Sequence, residues 1–291
     1  MARSDEDEGL RVSRGEIERM TTAAAVIRDC RHELAARNTS LVSELMAESA
    51  AISEWRHYPE GEVYDPSSHC QYFFHAHPEK GPQAATEQGH FHTFLRAEGM
   101  PIGVTPLLLP ELAVADVPIL PPQAPPLKRG TRDEVSHLIA IAIDFRGEPV
   151  RLFTTNRWVT GETWYRADDV IRMLDRFVIA EQEPSQVLNR WVGAVIQLYR
   201  PQIAVLLHAR DKAVMSWRRR RRTHVFEDPR LEVTSSQNIN LDAQLALLER
   251  AWFGPLESAL RRSVALPSMA EGWDEGQALR PIGAVNGSPD S

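Results

Sequence analysis

The 291-residue chain is short of cysteine, with only Cys30 and Cys70. Two cysteines make no disulfide framework, and no Cys-x-x-Cys pair exists to found a thiolate zinc site or a redox couple. Long apolar runs are missing too: nothing approaches the ~18 residues of a membrane span. The opening residues, Met1 to Gly9, are acidic and carry no apolar core of the kind a secretory signal needs. Positive charge is in deficit, with 33 Lys and Arg against 40 Asp and Glu, a net −7 that excludes a global field for nucleic acid. A glycine-rich phosphate loop, a Gly-x-Ser-x-Gly elbow and a His-Glu-x-x-His helix are likewise absent. Their absence argues against the common nucleotide-dependent, serine-hydrolase and zincin chemistries. The resulting expectation is a cytoplasmic protein with reduced thiols.

What remains is an ordinary globular composition, 43% hydrophobic and 25% charged. Residues 1–12 read as a disordered N-terminus. From Ser13 the stripe Ile17, Met20, Ala24, Ile27 and Leu34 follows helical spacing. Asn38-Thr39-Ser40 breaks and re-caps the chain. Leu41, Leu45, Ile52 and Trp55 then continue a second helix, giving a helical hairpin over 13–56. Strand-like segments follow over 57–166: His69 to His77, Gly89 to Arg96, and a hairpin of His137–Asp144 with Val150–Asn156 around an Arg146-Gly147 turn. That turn predicts Ile143 opposite Val150, Ile141 opposite Leu152 and His137 opposite Asn156. Between the strands, residues 101–132 hold eight prolines and read as an irregular wall. Helices are expected over 167–266, with a break near Pro201, and a flexible tail over 267–291. The order of elements predicts a single α+β domain over 13–266. Its antiparallel sheet carries the histidines, flanked by the N-terminal helical hairpin and the C-terminal helices.

Histidine is the abundant reactive residue. Six of the ten lie between His57 and His92. Side chains alternate faces along a strand, so His75 and His77 share a face with His69 by parity, and His90 shares one with His92. If the two segments pair, five imidazoles converge, and His137 can add a sixth. Imidazoles crowded on one buried face repel when protonated and are costly to desolvate. A bound cation removes both difficulties by using the neutral ring's lone pair. His69, His75, His77, His90, His92 and His137 are therefore the candidate metal ligands. The ordinary alternative for such histidines is hydrogen-bonded structure or substrate binding, and His57 can be read as a cap on the preceding helix.

Imidazole-only ligation suits a transition metal, with iron or copper favoured and zinc possible. Glu62, Asp65, Glu79 and Glu87 are carboxylates near enough in sequence to complete a site. Cupins also carry a His-x-His strand, but need a glutamate just after it and a later glycine-rich strand with a third histidine. Gly81 and Pro82 stand where that glutamate would fall. The pair His-Ala-His-Pro and Gly-His-Phe-His-Thr-Phe is similar to a bacterial family of unknown function, over residues 55–165. The resemblance implies no activity.

Glu87 and Tyr72 are candidate catalytic groups, the first as a base and the second in proton transfer or radical stabilisation. Arg157 and Arg166, set among Trp158, Trp164 and Tyr165, are candidate substrate-carboxylate binders. Cys70 has the opposite parity to His69 and reads as a packed thiol. Arg218 to Arg222 reads as a solvated helix end, where cations suit the dipole, rather than a nucleic-acid patch. The expectation is a metal-dependent oxidoreductase using oxygen chemistry on a small-molecule substrate. It has no membrane or nucleic-acid partner, and a homo-oligomer is compatible with the sequence. The alternatives are a hydrolase or lyase using metal-activated water, a metal storage, delivery or sensing protein, and a metal-free module binding an anionic ligand.

Overall fold

A computed structural model describes residues 12–46, 56–76, 86–107, 134–221 and 224–253, the last four as backbone only. Helix α1 (Arg14–Ala36) starts on a capping box: the Ser13 hydroxyl accepts from the Glu16 N–H at 3.2 Å, and the Glu16 carboxylate accepts from the Ser13 N–H at 3.0 Å. Its stripe Ile17, Met20, Ala24, Ile27, Cys30 and Leu34 is buried. Helix α2 (Leu41–Leu45) is capped by Ser40. Ile52 and Trp55 lie outside the described residues.

Among the described residues six strands follow: β1 (Tyr58–Tyr64), β2 (Cys70–His75), β3 (Gly89–Arg96), β4 (Val135–Ile143), β5 (Pro149–Thr155) and β6 (Val233–Asn238). They form one antiparallel sheet in sequence order, with β1 and β6 at its edges. Between β5 and β6 the chain makes α3 (Arg157–Thr160), α4 (Ala167–Leu174), α5 (Gln186–Leu198) and α6 (Arg200–Arg221); α7 (Leu241–Phe253) follows β6. Pro201 sits at the start of α6, where its missing N–H costs no helical bond, so the expected break is the joint between α5 and α6. The molecule is thus the α+β arrangement read from the sequence, with histidines on β2 and β3. Among the described residues, no helix is long and apolar enough to cross a membrane.

Period-two alternation splits the sheet into two unlike faces. Tyr72, Phe74, Phe91, Leu95, Ile139, Ile141, Ile143 and Leu152 join α1 and α5 in the main core, and Phe91 lies 5.9 Å from the buried Trp191. Each large side chain so buried contributes about 1.5–3 kcal/mol. The other face carries the histidines.

The β4–β5 hairpin differs from the two-residue turn. Asp144 accepts from the Gly147 N–H at 2.9 Å, its N–H donates to Glu148, and Gly147 has φ +85°. Phe145-Arg146-Gly147 is therefore a three-residue loop closed by a left-handed glycine. Asp144 Oδ1 also accepts from the N–H groups of Arg146 and Glu148, which fixes this loop. Ile141 does pair with Leu152, but a bulge places Ile143 opposite Pro149 instead of Val150. Asn156 lies beyond β5 and caps α3, with its Nδ2 donating to the Val225 carbonyl, so it does not face His137.

Candidate metal centre

Register brings the histidines together. His75 pairs with His90, Phe73 with His92, and Gln71 with Phe94 across β2 and β3. Across β3 and β4, His90 pairs with Ala142, His92 with Ala140, and Phe94 with His137. One methyl group at each of Ala140 and Ala142 leaves room beside the imidazoles, where the intervening Ile139, Ile141 and Ile143 fill the opposite core.

His75, His90 and His92 each offer a ring nitrogen within 4.8 Å of the others and form a group that can hold a metal ion. The Nε2 atoms of His75 and His90 are 2.8 Å apart. Nitrogens bound at about 2.1 Å lie ~3.0 Å apart at a right angle and at most ~4.2 Å apart in trans, so the His75–His90 pair is already at the spacing of one ion, and His92 lies within reach of it. Ring centres agree. Adding ~1.1 Å from nitrogen to ring centre predicts separations of about 4.5 Å at a right angle and ~5.2 Å at the tetrahedral angle. The observed separations are 4.5 Å for His75–His90, 4.9 Å for His90–His92 and 5.2 Å for His75–His92.

His137 is on the same face, but its Nε2 lies 3.0 Å from Nδ1 of His92. Burial and the nearby Arg210 guanidinium push the His137 pKa down to about 3. Burial, then His90, His137, His75 and His57, hold His92 well below the usual imidazole range. Both rings are neutral at physiological pH, so one donates to the other. With His92 Nδ1–H as the donor, its Nε2 presents a lone pair to the cluster. This sets His137 behind His92, outside the group of three.

Other predicted residues fall elsewhere. His69 precedes β2 with φ +61°, in a turn closed by its N–H on the Asp65 carbonyl, and its Nδ1 lies 2.8 Å from the Tyr64 hydroxyl. Strand parity does not reach it. His77 and Glu79 lie outside the described residues. Tyr72 points to the helix side and donates to Asn189 Oδ1 at 2.5 Å, and burial raises its pKa. Glu87 is clasped by Arg151 through two hydrogen bonds of 2.5 and 2.6 Å, both partners buried, and Arg151 stacks over Phe153 at 4.2 Å. Arg157 is engaged by Glu227 at 3.1 Å, and Arg166 is exposed just before α4. Cys70 is buried with its thiol on the Arg176 carbonyl.

Two residues of the neighbourhood were weakly signalled. The His57 ring stacks on Phe73 at 3.8 Å, and its Nδ1 lies 2.9 Å from the Glu62 carboxylate. The Gly and Pro of β1 disguise that strand as a turn.

A family model described as Domain of unknown function (DUF6969) matches residues 21–239. The chain belongs to this family. The match spans all six strands, including the three imidazoles. No curated protein and no solved structure matches the chain.

Proposed function

We propose that this member of the family is a metal-dependent oxidoreductase, in which His75, His90 and His92 hold iron or copper for oxygen chemistry on a small organic substrate. The observation that carries the reading is the convergence of three imidazoles on one sheet face, each offering a nitrogen within 4.8 Å of the others. Three protein ligands leave coordination positions for substrate or oxygen, whereas a storage or structural site fills them.

The choice of redox over hydrolytic chemistry rests on the surroundings. Phe73 and Phe153 line the imidazoles, with Phe73 5.3 Å from His92 and Phe153 5.0 Å from His90. The carboxylate expected to act as base, Glu87, is committed to Arg151. An apolar wall whose neighbouring carboxylates among the described residues, Glu87 and Glu62, are each hydrogen-bonded to a partner suits a reaction in which the metal supplies the electrons better than one in which a protein base activates water. A small substrate is the matching partner.

Elemental analysis of untagged protein and of a His75→Ala/His90→Ala variant tests this. Near-stoichiometric iron or copper, lost in the variant, with oxygen consumed by the loaded protein on a panel of small organic substrates, is the expected result. Zinc alone would replace the redox reading by a hydrolytic one. The absence of any metal after reconstitution with each ion would overturn the metal site.

A further inference from the structure

We propose that His57, aimed by Glu62, is a fourth protein ligand to the ion held by His75, His90 and His92, which makes a four-histidine centre. The inference rests on the metal-site reading above and adds a ligand to it.

The local backbone is built to present this pair. Between Tyr58 and Val63 the register of β1 against β2 shifts, and Gly61 and Glu62 have φ +83° and +63°. A left-handed glutamate is unfavourable, and a bulge re-aims the side chain it carries. Here the re-aimed carboxylate meets two partners: Oε1 lies 2.9 Å from His57 Nδ1, and Oε2 accepts from the Gln71 amide. Gln71 is fixed in turn, because its carbonyl oxygen accepts from Arg96 Nε at 2.8 Å. The chain from Arg96 through Gln71 to Glu62 thus crosses three strands to end on one imidazole nitrogen. A carboxylate on one nitrogen of a histidine whose other nitrogen takes a metal is the recurrent outer-shell arrangement, which sets tautomer and ring orientation together.

His57 borders the group on the His75 side: its ring meets that of His75, and it stands outside the three nitrogens that lie within 4.8 Å of one another, so it reaches the ion by turning inward. The His57 ring centre is 5.7 Å from that of His75. Two imidazoles on one ion span about 4.5 Å at a right angle to ~6.4 Å in trans, and 5.7 Å falls inside that window for His75. Its side chain is 42% exposed, in contrast to the buried His90 and His92, so His57 closes the solvent side of the group. Four imidazoles would fill a tetrahedral zinc shell. On a six-coordinate ion they leave two positions, enough for oxygen and substrate together. The fourth ligand therefore favours an ion that takes five or six ligands.

Cobalt(II) binding to chelator-stripped full-length protein provides the test, read by titration and by the visible spectrum, whose band intensity reports coordination number. His57→Ala should weaken binding by at least tenfold and change the spectrum, with added imidazole restoring both. Glu62→Gln, which keeps the side-chain shape, should weaken binding by roughly 10-fold, the lower end of the usual outer-shell effect. His208→Ala, a distant exposed histidine, should do neither. If His57→Ala and Glu62→Gln both bind like the wild type with an unchanged spectrum, His57 is not a ligand while the three-histidine site stands. If the wild type itself binds no ion, both readings fall.

Discussion

Glu162 offers a quantitative check on the electrostatics that keep this region of the sheet neutral. Its side chain is fully buried, and its Oε2 accepts from the His137 N–H at 2.8 Å. Burial raises its pKa from 4.5 to about 7, against the opposing pull of Arg210, the His137 N–H, Thr160 and Arg157. Between those values the native state binds a proton that the unfolded chain has released. Stability therefore falls as pH rises through this window and stays lower above pH 7. At 1.36 kcal/mol per unit, the shift amounts to roughly 3 kcal/mol. His137 and His92, with lowered values, act in the reverse sense below about pH 6.5, so the wild-type profile alone mixes the terms. Comparison with Glu162→Gln separates them, because the amide oxygen still accepts from His137 but never ionises. Urea unfolding of both proteins, with a chelator present, should place the variant roughly 3 kcal/mol higher relative to wild type at pH 8 than at pH 4. A constant offset between the two proteins across that range would show that Glu162 ionises normally, and would remove the argument that this end of β4 is strongly desolvated.

Three further substitutions separate the faces of the sheet. His137→Ala should weaken metal affinity by about 10–100-fold while saturating metal still reaches the wild-type stoichiometry, and His137→Gln, which keeps an acceptor for His92, should lose less. A drop in stoichiometry would instead make His137 a ligand. Glu87→Ala should cost about 3–5 kcal/mol by leaving the Arg151 guanidinium buried and unpaired, and Glu87→Met/Arg151→Met should recover most of it in the same denaturation assay. Tyr72→Phe should cost about 1–3 kcal/mol through the orphaned Asn189 oxygen. It should leave metal content unchanged, since Tyr72 points away from the imidazoles; lost metal would refute that placement.

The sequence was most legible where strands are regular and central. Gly89 to Arg96 alternates His, Phe, His, Thr, Phe, and the structure keeps that period without a break as far as Thr93. The hairpin was visible in the β-branched run before it, although Asp144 draws its loop to three residues and moves the register by one near the turn. Legibility fails at the edges. Strand β1 contains Pro59 and Gly61 and is bulged, so its composition is that of a turn. Strand β6, Val-Thr-Ser-Ser-Gln-Asn, is polar on both faces, because an edge beside Thr154 and a helix carbonyl needs hydroxyls more than hydrocarbon: Ser235 donates to the Leu206 carbonyl, and Thr154 bonds Thr234 and Ser235. His69 departs from strand parity for a related reason. Parity holds only inside a ladder, and a left-handed residue at the strand's mouth points wherever its turn sends it.

The same alternation that builds the core also builds the candidate centre, and this gives the two faces separate duties. Ile139 and Ile141 hold the sheet on α1 and α5, while Ala140 and Ala142, between them, leave the space that His92 and His90 occupy. The imidazoles are supported by backbone pairing and by bonds to one another, His75 to His90 and His92 to His137. Their spacing is therefore set by strands whose apolar packing lies on the opposite side. On the proposed reading such a site is preorganised: the protein bears the cost of gathering the imidazoles through its core, and an ion's binding energy would remain available to hold it against competing ligands while coordination positions stay open for reaction.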